Sequence, residues 1–288
     1  MTGTLRSLVS EELGQPVDSR VAAMAAAIAT KYGAASRAVL FYGSCLRERQ
    51  LDGLMLDFYL IVSDYDAAYG RGWLARANAL IPPNVFPFHH GELASKYAVL
   101  SEADFHRLNG AETANVSVWA RFAQPSRLVW ASDPAARDRA IDAVTRAAPT
   151  LLGAAMPFAT GGDDLDPWRQ AFALTYSAEL RAERKGRSVS IVDTDPDRYL
   201  RFLNPALAAV VPGGAWASWR RRRIEGKILS VVRLAKASGT YAGGAEYIAW
   251  KINRHAGTNI ELKPWQRRHP LLAAISLLPR LLRSGAIR

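Results

Sequence analysis

The segment Leu56–Val62, LDFYLIV, constrains the fold more than any other stretch of the chain. Apart from Asp57 it is apolar on both faces, which is typical of a central strand covered by other elements on both sides. A carboxylate in so apolar a strand costs several kcal/mol unless it is solvated, paired or bound to a metal. Asp57 is therefore a candidate functional residue, and a solvated strand end is the alternative.

Strands and helices alternate around this segment as far as about residue 135. This pattern predicts an α/β (α+β) domain over residues 1–145, with a mixed sheet of four or five strands and flanking helices. Helix-type spacing then continues, which predicts a mainly α-helical second domain over residues 165–258. The predicted strands are Arg37–Tyr42, Leu56–Val62, Ser95–Ser101 and Ser126–Ser132, and the first predicted helices are Arg20–Tyr32, Asp66–Ala79 and Glu102–Leu108.

The composition is that of an ordinary folded chain. Of its 288 residues, 49% are hydrophobic and 22% charged, so the core needs no disulfide or structural metal. The single cysteine, Cys45, excludes an intramolecular disulfide and a cysteine-based zinc cluster. The N-terminus has no apolar core of signal-peptide length, and no run of 18 apolar residues follows. We expect a cytoplasmic protein.

The net charge of +11 is concentrated in the last quarter of the chain. Residues 213–288 contain 15 Lys and Arg against three Glu, whereas residues 1–212 contain 22 basic and 23 acidic residues. Such a segment favours an anionic partner, which could be a phosphorylated ligand, a membrane surface or a nucleic acid. Nucleic acid is the least favoured of these, because the aromatic residues lie mainly in apolar segments and are not interleaved with the cations.

The tail 259–288 combines cations with an apolar helical face. Leu271, Ile275, Leu278 and Leu282 fall at helical spacing beside Trp265 and several arginines. This is the pattern of an interfacial membrane helix, and it predicts peripheral association with an anionic inner membrane. The alternative is a terminal helix docked on the core of the protein itself.

Gly43 and Ser44 follow the first predicted strand and precede Asp57 by about a dozen residues. A Gly-Ser turn lets backbone amides approach a phosphate and adds a hydroxyl donor, although such turns are also common in loops without a ligand. Asp57 is well suited to Mg²⁺, which binds one or two carboxylates together with the phosphates of a substrate. The arrangement therefore predicts Mg²⁺ with a phosphorylated ligand.

A strand, a Gly-Ser turn and an Asp on the next strand resemble the core of the DNA polymerase β-like nucleotidyltransferases. The chain is more narrowly similar to the mitochondrial-type CDP-diacylglycerol synthases, the translocator assembly and maintenance family of phosphatidate cytidylyltransferases. The resemblance covers about residues 40–238. The words that carry it are, in chain order, YGSC, MLDFYLIV, NALIP, KYAVLS, WARFAQP, ALTYSAELRAE, VSIVD and IEGKILSVVRLAKAS.

The resemblance implies a function for particular residues. Gly43 and Ser44 match the phosphate-binding pair, Asp57 the metal-binding aspartate, and Lys96 a lysine that contacts a phosphate. Arg121 matches an arginine of the nucleotide site. Glu179 and Arg181 match a further acid and arginine of the family, which implies that they bind the nucleotide. Lys227, followed by Lys236, is the best candidate for a late catalytic lysine.

The sequence also departs from the family pattern. Met55 stands where a second acid is usual in the superfamily, so Glu92 is predicted to supply a second metal ligand, and Gln124 replaces a lysine. His89 and His90, next to Glu92, are predicted to lie in a loop rather than to bind a metal.

The implied reaction converts CTP and phosphatidate to CDP-diacylglycerol and pyrophosphate with Mg²⁺ at a membrane surface. Two alternatives are a nucleotidyltransferase of the same fold with another phosphorylated or hydroxylated acceptor, and a non-catalytic protein that binds nucleotide, RNA or anionic lipid.

Overall fold

A computed structural model describes residues 4–48, 51–158, 162–179, 191–211, 218–240 and 263–265. It contains a five-stranded mixed sheet with the order β3-β4-β2-β1-β5, in which β2 and β4 are parallel and the other neighbours are antiparallel. The sheet is flanked by helices and followed by a helical C-terminal region, so the predicted fold class is confirmed. The strands are β1 Ser36–Tyr42, β2 Met55–Val62, β3 Asn84–His90, β4 Leu93–Ser101 and β5 Ser126–Ala131.

Helices connect the strands and then form the C-terminal region. Those within the sheet domain are α1 Leu5–Leu13, α2 Ser19–Thr30, α3 Ser44–Glu48, α4 Tyr65–Tyr69, α5 Trp73–Leu80, α6 Glu102–Leu108 and α7 Trp119–Phe122. Those that follow the last strand are α8 Pro134–Thr145, α9 Ala147–Ala155, α10 Asp166–Ala178, α11 Pro196–Ala208 and α12 Trp219–Thr240, and short 3-10 turns lie at Gly33–Ala35 and Met156–Phe158.

Local signals in the sequence set several helix starts correctly. The Ser101 hydroxyl accepts a hydrogen bond from the Asp104 amide at 3.1 Å and so caps α6, which begins at the predicted residue Glu102. Pro167 lies in the first turn of α10, where a missing amide hydrogen costs nothing. Asp133 caps α8 in the same way as Ser101 caps α6, with Pro134 as the first helical residue.

Two predictions between residues 66 and 90 were wrong. The predicted helix Asp66–Ala79 is two helices, because Gly70 has a φ of +71° and ends α4. His89 and His90 lie in strand β3, not in a loop. This strand also contains Pro87, which cannot donate a ladder hydrogen bond and is tolerated because β3 is an edge strand.

Each face of the sheet has its own apolar core. Alternate residues of β2 point to opposite faces, so Phe58 and Leu60 pack towards α2, while Tyr59 and Ile61 pack towards α7, α8 and α9. The second core continues into the C-terminal helices through Trp168 of α10 and other buried aromatic residues. The helical region thus covers the sheet face that bears Asp57 and Tyr59.

The predicted amphipathic tail lies outside the described residues, apart from Lys263, Pro264 and Trp265. Across the described ranges, no helix is both long enough and apolar enough to cross a membrane.

Candidate functional site

Three neighbouring strands place Tyr42, Asp57 and Lys96 side by side. Asp57 of β2 is the register partner of Tyr42 on β1 and of Lys96 on β4. The Lys96 ammonium lies 2.9 Å from Asp57 Oδ1, and the two side chains are 27% and 20% exposed. The carboxylate that opens the apolar strand is therefore paired with a cation from the adjacent strand.

Gly43 lies directly against this carboxylate. It follows β1 with a φ of +99°, a conformation that favours glycine. A Cβ at this position would come within 2.9 Å of Asp57 Oδ2. A side chain at position 43 is therefore disfavoured by the backbone conformation, and it would also have to displace the Asp57 carboxylate. Ser44, the next residue, begins the short helix α3 and is half-buried.

A second ion pair joins α7 to the end of α10. Arg121 Nη1 lies 3.8 Å from Glu179 Oε1, and the Glu179 side chain is almost completely buried. Burial alone would lower the pKa of Arg121, but Tyr59, Glu179, Tyr42 and Asp57 together raise it above its ordinary value. Arg121 therefore remains a cation, and it lies close enough to Asp57 to interact with it electrostatically.

Helix α12 adds Arg233 to the same place. Arg233 Nε donates to the Pro82 carbonyl and Nη1 to the Ser117 hydroxyl, both at 2.9 Å. Burial lowers the pKa of Arg233, and nearby Tyr59 and Glu179 oppose that change. Arg233 lies on a helix, so its position in the site does not depend on the register of the strands.

Lys236 lies one turn further along α12, at the C-terminal end of α5. Its ammonium donates to the carbonyls of Ile81 and Ala77, which are groups left over at a helix end. Burial, with a smaller contribution from Arg233, lowers the pKa of Lys236 to about 7.

Two tyrosines form the floor of the site. The rings of Tyr42 and Tyr59 lie 5.3 Å apart, and Tyr59 also packs on Phe122 at 5.1 Å. Burial raises the pKa of both phenols, so they remain neutral hydrogen-bonding groups. We call the whole set the Asp57 cluster: Tyr42, Asp57, Tyr59, Lys96, Arg121, Glu179 and Arg233.

The sequence interpretation missed Tyr42, Tyr59 and Arg233. Strand alternation could have found Tyr59, because it lies two residues after Asp57 on the same face. The helical period could have pointed to Arg233, which lies eleven residues, or three turns, after the buried Arg222. Nothing in the sequence specified which strand or loop Arg233 would meet.

Other predicted site residues lie elsewhere. Glu92 is exposed in the turn between β3 and β4, four residues before Lys96, or about 13 Å along the strand, so the structure does not bring it to Asp57. Lys227 is exposed on α12. Arg181 lies outside the described residues.

The acids of the cluster suit Mg²⁺ only if a ligand contributes to its coordination. Within the described part of the chain, no group of three or more His, Cys, Asp or Glu is placed to hold a metal. Asp57, with Glu179 near Arg121, provides one or two carboxylates, and Mg²⁺ commonly takes its remaining oxygens from phosphates and water. The residues present therefore fit a metal that binds together with a phosphorylated ligand.

Comparisons with known proteins are sparse. No protein-family model and no curated protein matches the chain. Among solved structures, the chain is similar to a nucleotidyltransferase-like protein from Exiguobacterium sibiricum 255-15, with 11% identity, a TM-score of 0.30 and 92% of each chain covered. A TM-score of 0.30 does not establish a shared fold, so neither fold nor activity follows from this similarity.

Proposed function

We propose that the chain is a nucleotidyltransferase that converts CTP and phosphatidate to CDP-diacylglycerol and pyrophosphate. The observation that carries the proposal is the Asp57–Lys96 pair, with Gly43 against the carboxylate, Arg121 near it and Arg233 near Arg121. The choice of CTP and phosphatidate rests on the motif resemblance, and the choice of reaction class rests on the resemblance and the cluster together.

The charge of the cluster favours an anionic ligand. Lys96, Arg121 and Arg233 contribute three cations, against the carboxylates of Asp57 and Glu179. An excess positive charge in a partly buried site is costly unless a counter-ion binds. A nucleoside triphosphate and a phosphate monoester are anions that could serve as this counter-ion.

The chemistry asks little of the chain beyond positioning and charge neutralisation. An oxygen of the acceptor phosphate forms a bond to the α-phosphorus of CTP, the bond from that phosphorus to the bridging oxygen breaks, and pyrophosphate leaves. The acceptor is already anionic, so no general base is needed. Mg²⁺, held by Asp57 with Glu179 as a further carboxylate, would neutralise charge on the phosphates. Lys96, Arg121 and Arg233 would hold the anionic groups in place.

A second candidate function is anion binding without catalysis. Asp57 Oδ1 is already paired with Lys96, and the described residues supply no third acid, as expected of a protein that keeps a nucleotide site without a metal. This candidate predicts nucleotide binding that does not depend on Mg²⁺.

One experiment tests both candidates. The purified protein is incubated with Mg²⁺, phosphatidate in detergent micelles and each labelled nucleoside triphosphate in turn, and the lipid products are separated. We expect a CDP-lipid from CTP, and at least a hundredfold loss in Asp57→Asn. The matched control is Asp66→Asn, an exposed acid on α4, which should retain activity.

The other outcomes discriminate between the candidates. A product with another acceptor or another nucleotide would retain the reaction class and reject phosphatidate or CTP. No product with any nucleotide, together with metal-independent binding that survives Asp57→Asn, would reject the enzyme and support the anion-binding candidate.

A further inference from the structure

The basic run WRRRRIEGK, Trp219–Lys227, is divided by helix α12 into two different surfaces. Successive residues of a helix are separated by about 100°, so four consecutive arginines cannot share one face. Trp219, Arg222 and Gly226 face the protein and are buried, whereas Arg220, Arg223, Ile224, Lys227 and Ile228 are exposed. We call these five exposed residues the outer face of α12.

The buried side of α12 fixes how the helix is turned. The Trp219 indole donates to the Ala154 carbonyl at 2.8 Å. The Arg222 guanidinium lies over the rings of Trp119 and Trp219, at 5.5 and 5.7 Å, and donates to the Thr113 carbonyl at 2.9 Å. Arg222 is completely buried, so this member of the basic run has a structural role inside the protein.

Gly226 allows α12 to pack closely against the end of α10. A Cβ at this position would come within 2.1 Å of the Ala178 carbonyl oxygen, so any larger residue at position 226 would force α12 away from the end of α10. The outer face is therefore held in one orientation by Trp219, Arg222 and Gly226.

The outer face combines cations with exposed aliphatic side chains. Ile224 and Ile228 lie one turn apart and are 52% and 57% exposed. Arg220, Arg223 and Lys227 lie next to them on one side, and none of the five residues is acidic. The nearest acid, Glu225, is paired with Arg221 at the side of the helix.

We propose that the outer face of α12 docks on the surface of an anionic lipid bilayer. Arg220, Arg223 and Lys227 would meet the lipid phosphates, and Ile224 and Ile228 would enter the boundary between headgroups and acyl chains. This inference rests on the proposed function, because a lipid phosphate acceptor is presented at a bilayer surface. It assigns that contact to a described helix rather than to the tail 259–288.

The composition of the outer face favours a bilayer over a nucleic acid or an acidic protein. Single-stranded nucleic acid is bound through aromatic stacking platforms, and the outer face has no aromatic residue. An acidic protein would pair with the cations but leave unexplained the two exposed isoleucines beside them. The surface of an anionic bilayer can bind both kinds of side chain, since its phosphates pair with the cations and its acyl region accepts the isoleucines.

The test is co-sedimentation of the full chain with vesicles. Vesicles of phosphatidylglycerol and phosphatidylcholine are compared with vesicles of phosphatidylcholine alone. We expect binding only to the first, weakened by salt. Ile224→Ser with Ile228→Ser should lower the partition coefficient about tenfold or more. Arg220→Gln, Arg223→Gln and Lys227→Gln together should lower it about a hundredfold, roughly fivefold for each cation.

Matched controls remove the same chemistry from other surfaces. Leu200→Ser with Leu207→Ser deletes two exposed apolar side chains of α11, and Arg71→Gln with Arg76→Gln and Arg137→Gln deletes three exposed cations. Both controls should bind vesicles as the unmodified chain does. Thermal unfolding of every variant establishes that it is folded.

Several results would overturn the inference. These are the absence of vesicle binding by the unmodified chain, equal binding to neutral vesicles, and undiminished binding by the isoleucine variant, which would assign the contact to another surface. Retention of a labelled RNA in place of vesicles would also reject it. Nucleotide binding is measured in parallel on the isoleucine variant and should be unchanged, so a failure of this inference is separable from a failure of the proposed function.

Discussion

Asp57 contacts two neighbours, a cationic side chain and a glycine. On one side the Lys96 ammonium lies 2.9 Å from Oδ1, and on the other Gly43 leaves no room for a side chain against Oδ2. Lys96 thus already pairs with one oxygen of the carboxylate that would hold a divalent cation. A metal and Lys96 must compete for Asp57, unless a bound phosphate draws Lys96 away.

Removal of Lys96 should therefore strengthen metal binding in the absence of nucleotide. We expect Lys96→Met to raise the affinity for Mn²⁺, a spectroscopic substitute for Mg²⁺, about tenfold, because the carboxylate loses its ammonium partner. Paramagnetic resonance of free Mn²⁺ measures this directly. The gain should disappear when Asp57→Asn is added, and equal affinities of Lys96→Met and the unmodified chain would contradict competition at Asp57.

The contact between Gly43 and Asp57 can be separated from backbone strain. Gly43→Ala should lower the free energy of unfolding by about 1–3 kcal/mol, from the positive φ and from the clash with Oδ2. Gly91→Ala is the matched control, since Gly91 also has a positive φ, but a Cβ there meets no described atom within 4 Å. Urea unfolding measures both. Equal losses in the two variants would show that the contact contributes nothing.

At the scale of elements, α12 joins the helical region to the loop after α5. Arg233 and Lys236 both donate to backbone carbonyls of residues 77–82, so the end of one helix is closed by cations of another. Of these two groups, Lys236 titrates near neutrality, with a pKa of about 7 against an ordinary value of 10.5.

This lowered pKa makes stability depend on pH. Below pH 7, Lys236 is protonated in the folded and unfolded states, and the folded state bears the cost of a buried charge. Above pH 7 the folded state releases the proton while the unfolded state keeps it, so the free energy of unfolding rises by up to about 1.4 kcal/mol per pH unit.

The measurement is urea unfolding between pH 6 and pH 9. The free energy of unfolding of the unmodified chain should rise with pH relative to Lys236→Met. The control is Lys227→Met, which replaces an exposed lysine of the same helix, and the free energies of unfolding of this variant and of the unmodified chain should change with pH in parallel. Parallel pH profiles for Lys236→Met and the unmodified chain would contradict a buried Lys236.

Elements with strong periodicity were predictable, whereas their neighbours were not. The apolar runs of β2 and β4 and the capped start of α6 agree with the structure, since local sequence decides them. Strand β3 was missed because Pro87 and two histidines are poor strand signals, and only pairing with β4 explains its conformation. Asp57 could be singled out from its own strand, whereas the partners of Arg233 could not, because its hydrogen bonds to Pro82 and Ser117 span 151 and 116 positions of the chain and leave no local pattern.

At the scale of the whole molecule, one buried ion pair ties the N-terminus to the helical region. Arg198 of α11 donates to the Glu12 carboxylate of α1, with an Nη2–Oε1 distance of 3.0 Å, and to the Ala123 carbonyl at 3.0 Å. Both charged side chains are below 10% exposure. Such a pair adds little by itself, but either partner alone is a costly buried charge.

Removal of one charge of the pair should therefore destabilise the protein more than removal of both charges. We expect Glu12→Gln to lower the free energy of unfolding by about 3–5 kcal/mol, and Glu12→Gln with Arg198→Met to lower it by less. The exposed pair between Arg6 and Asp142 is the control, and Asp142→Asn should cost about 0–1 kcal/mol. Chemical denaturation gives all three values. A double variant less stable than the single one would contradict an unpaired-charge penalty.

The row Tyr42–Asp57–Lys96 depends on strand register, so the site tolerates no change in the number of residues within these strands. Because side chains alternate across a strand, one residue inserted in β2 between Asp57 and Tyr59 would turn either the carboxylate or the phenol to the opposite core. The chain between α3 and β2 is under no such parity rule. Related sequences should accordingly differ in length between positions 49 and 54, while the spacing from Asp57 to Tyr59 stays at two. Insertion scanning could use that contrast to map the site without any knowledge of its ligand.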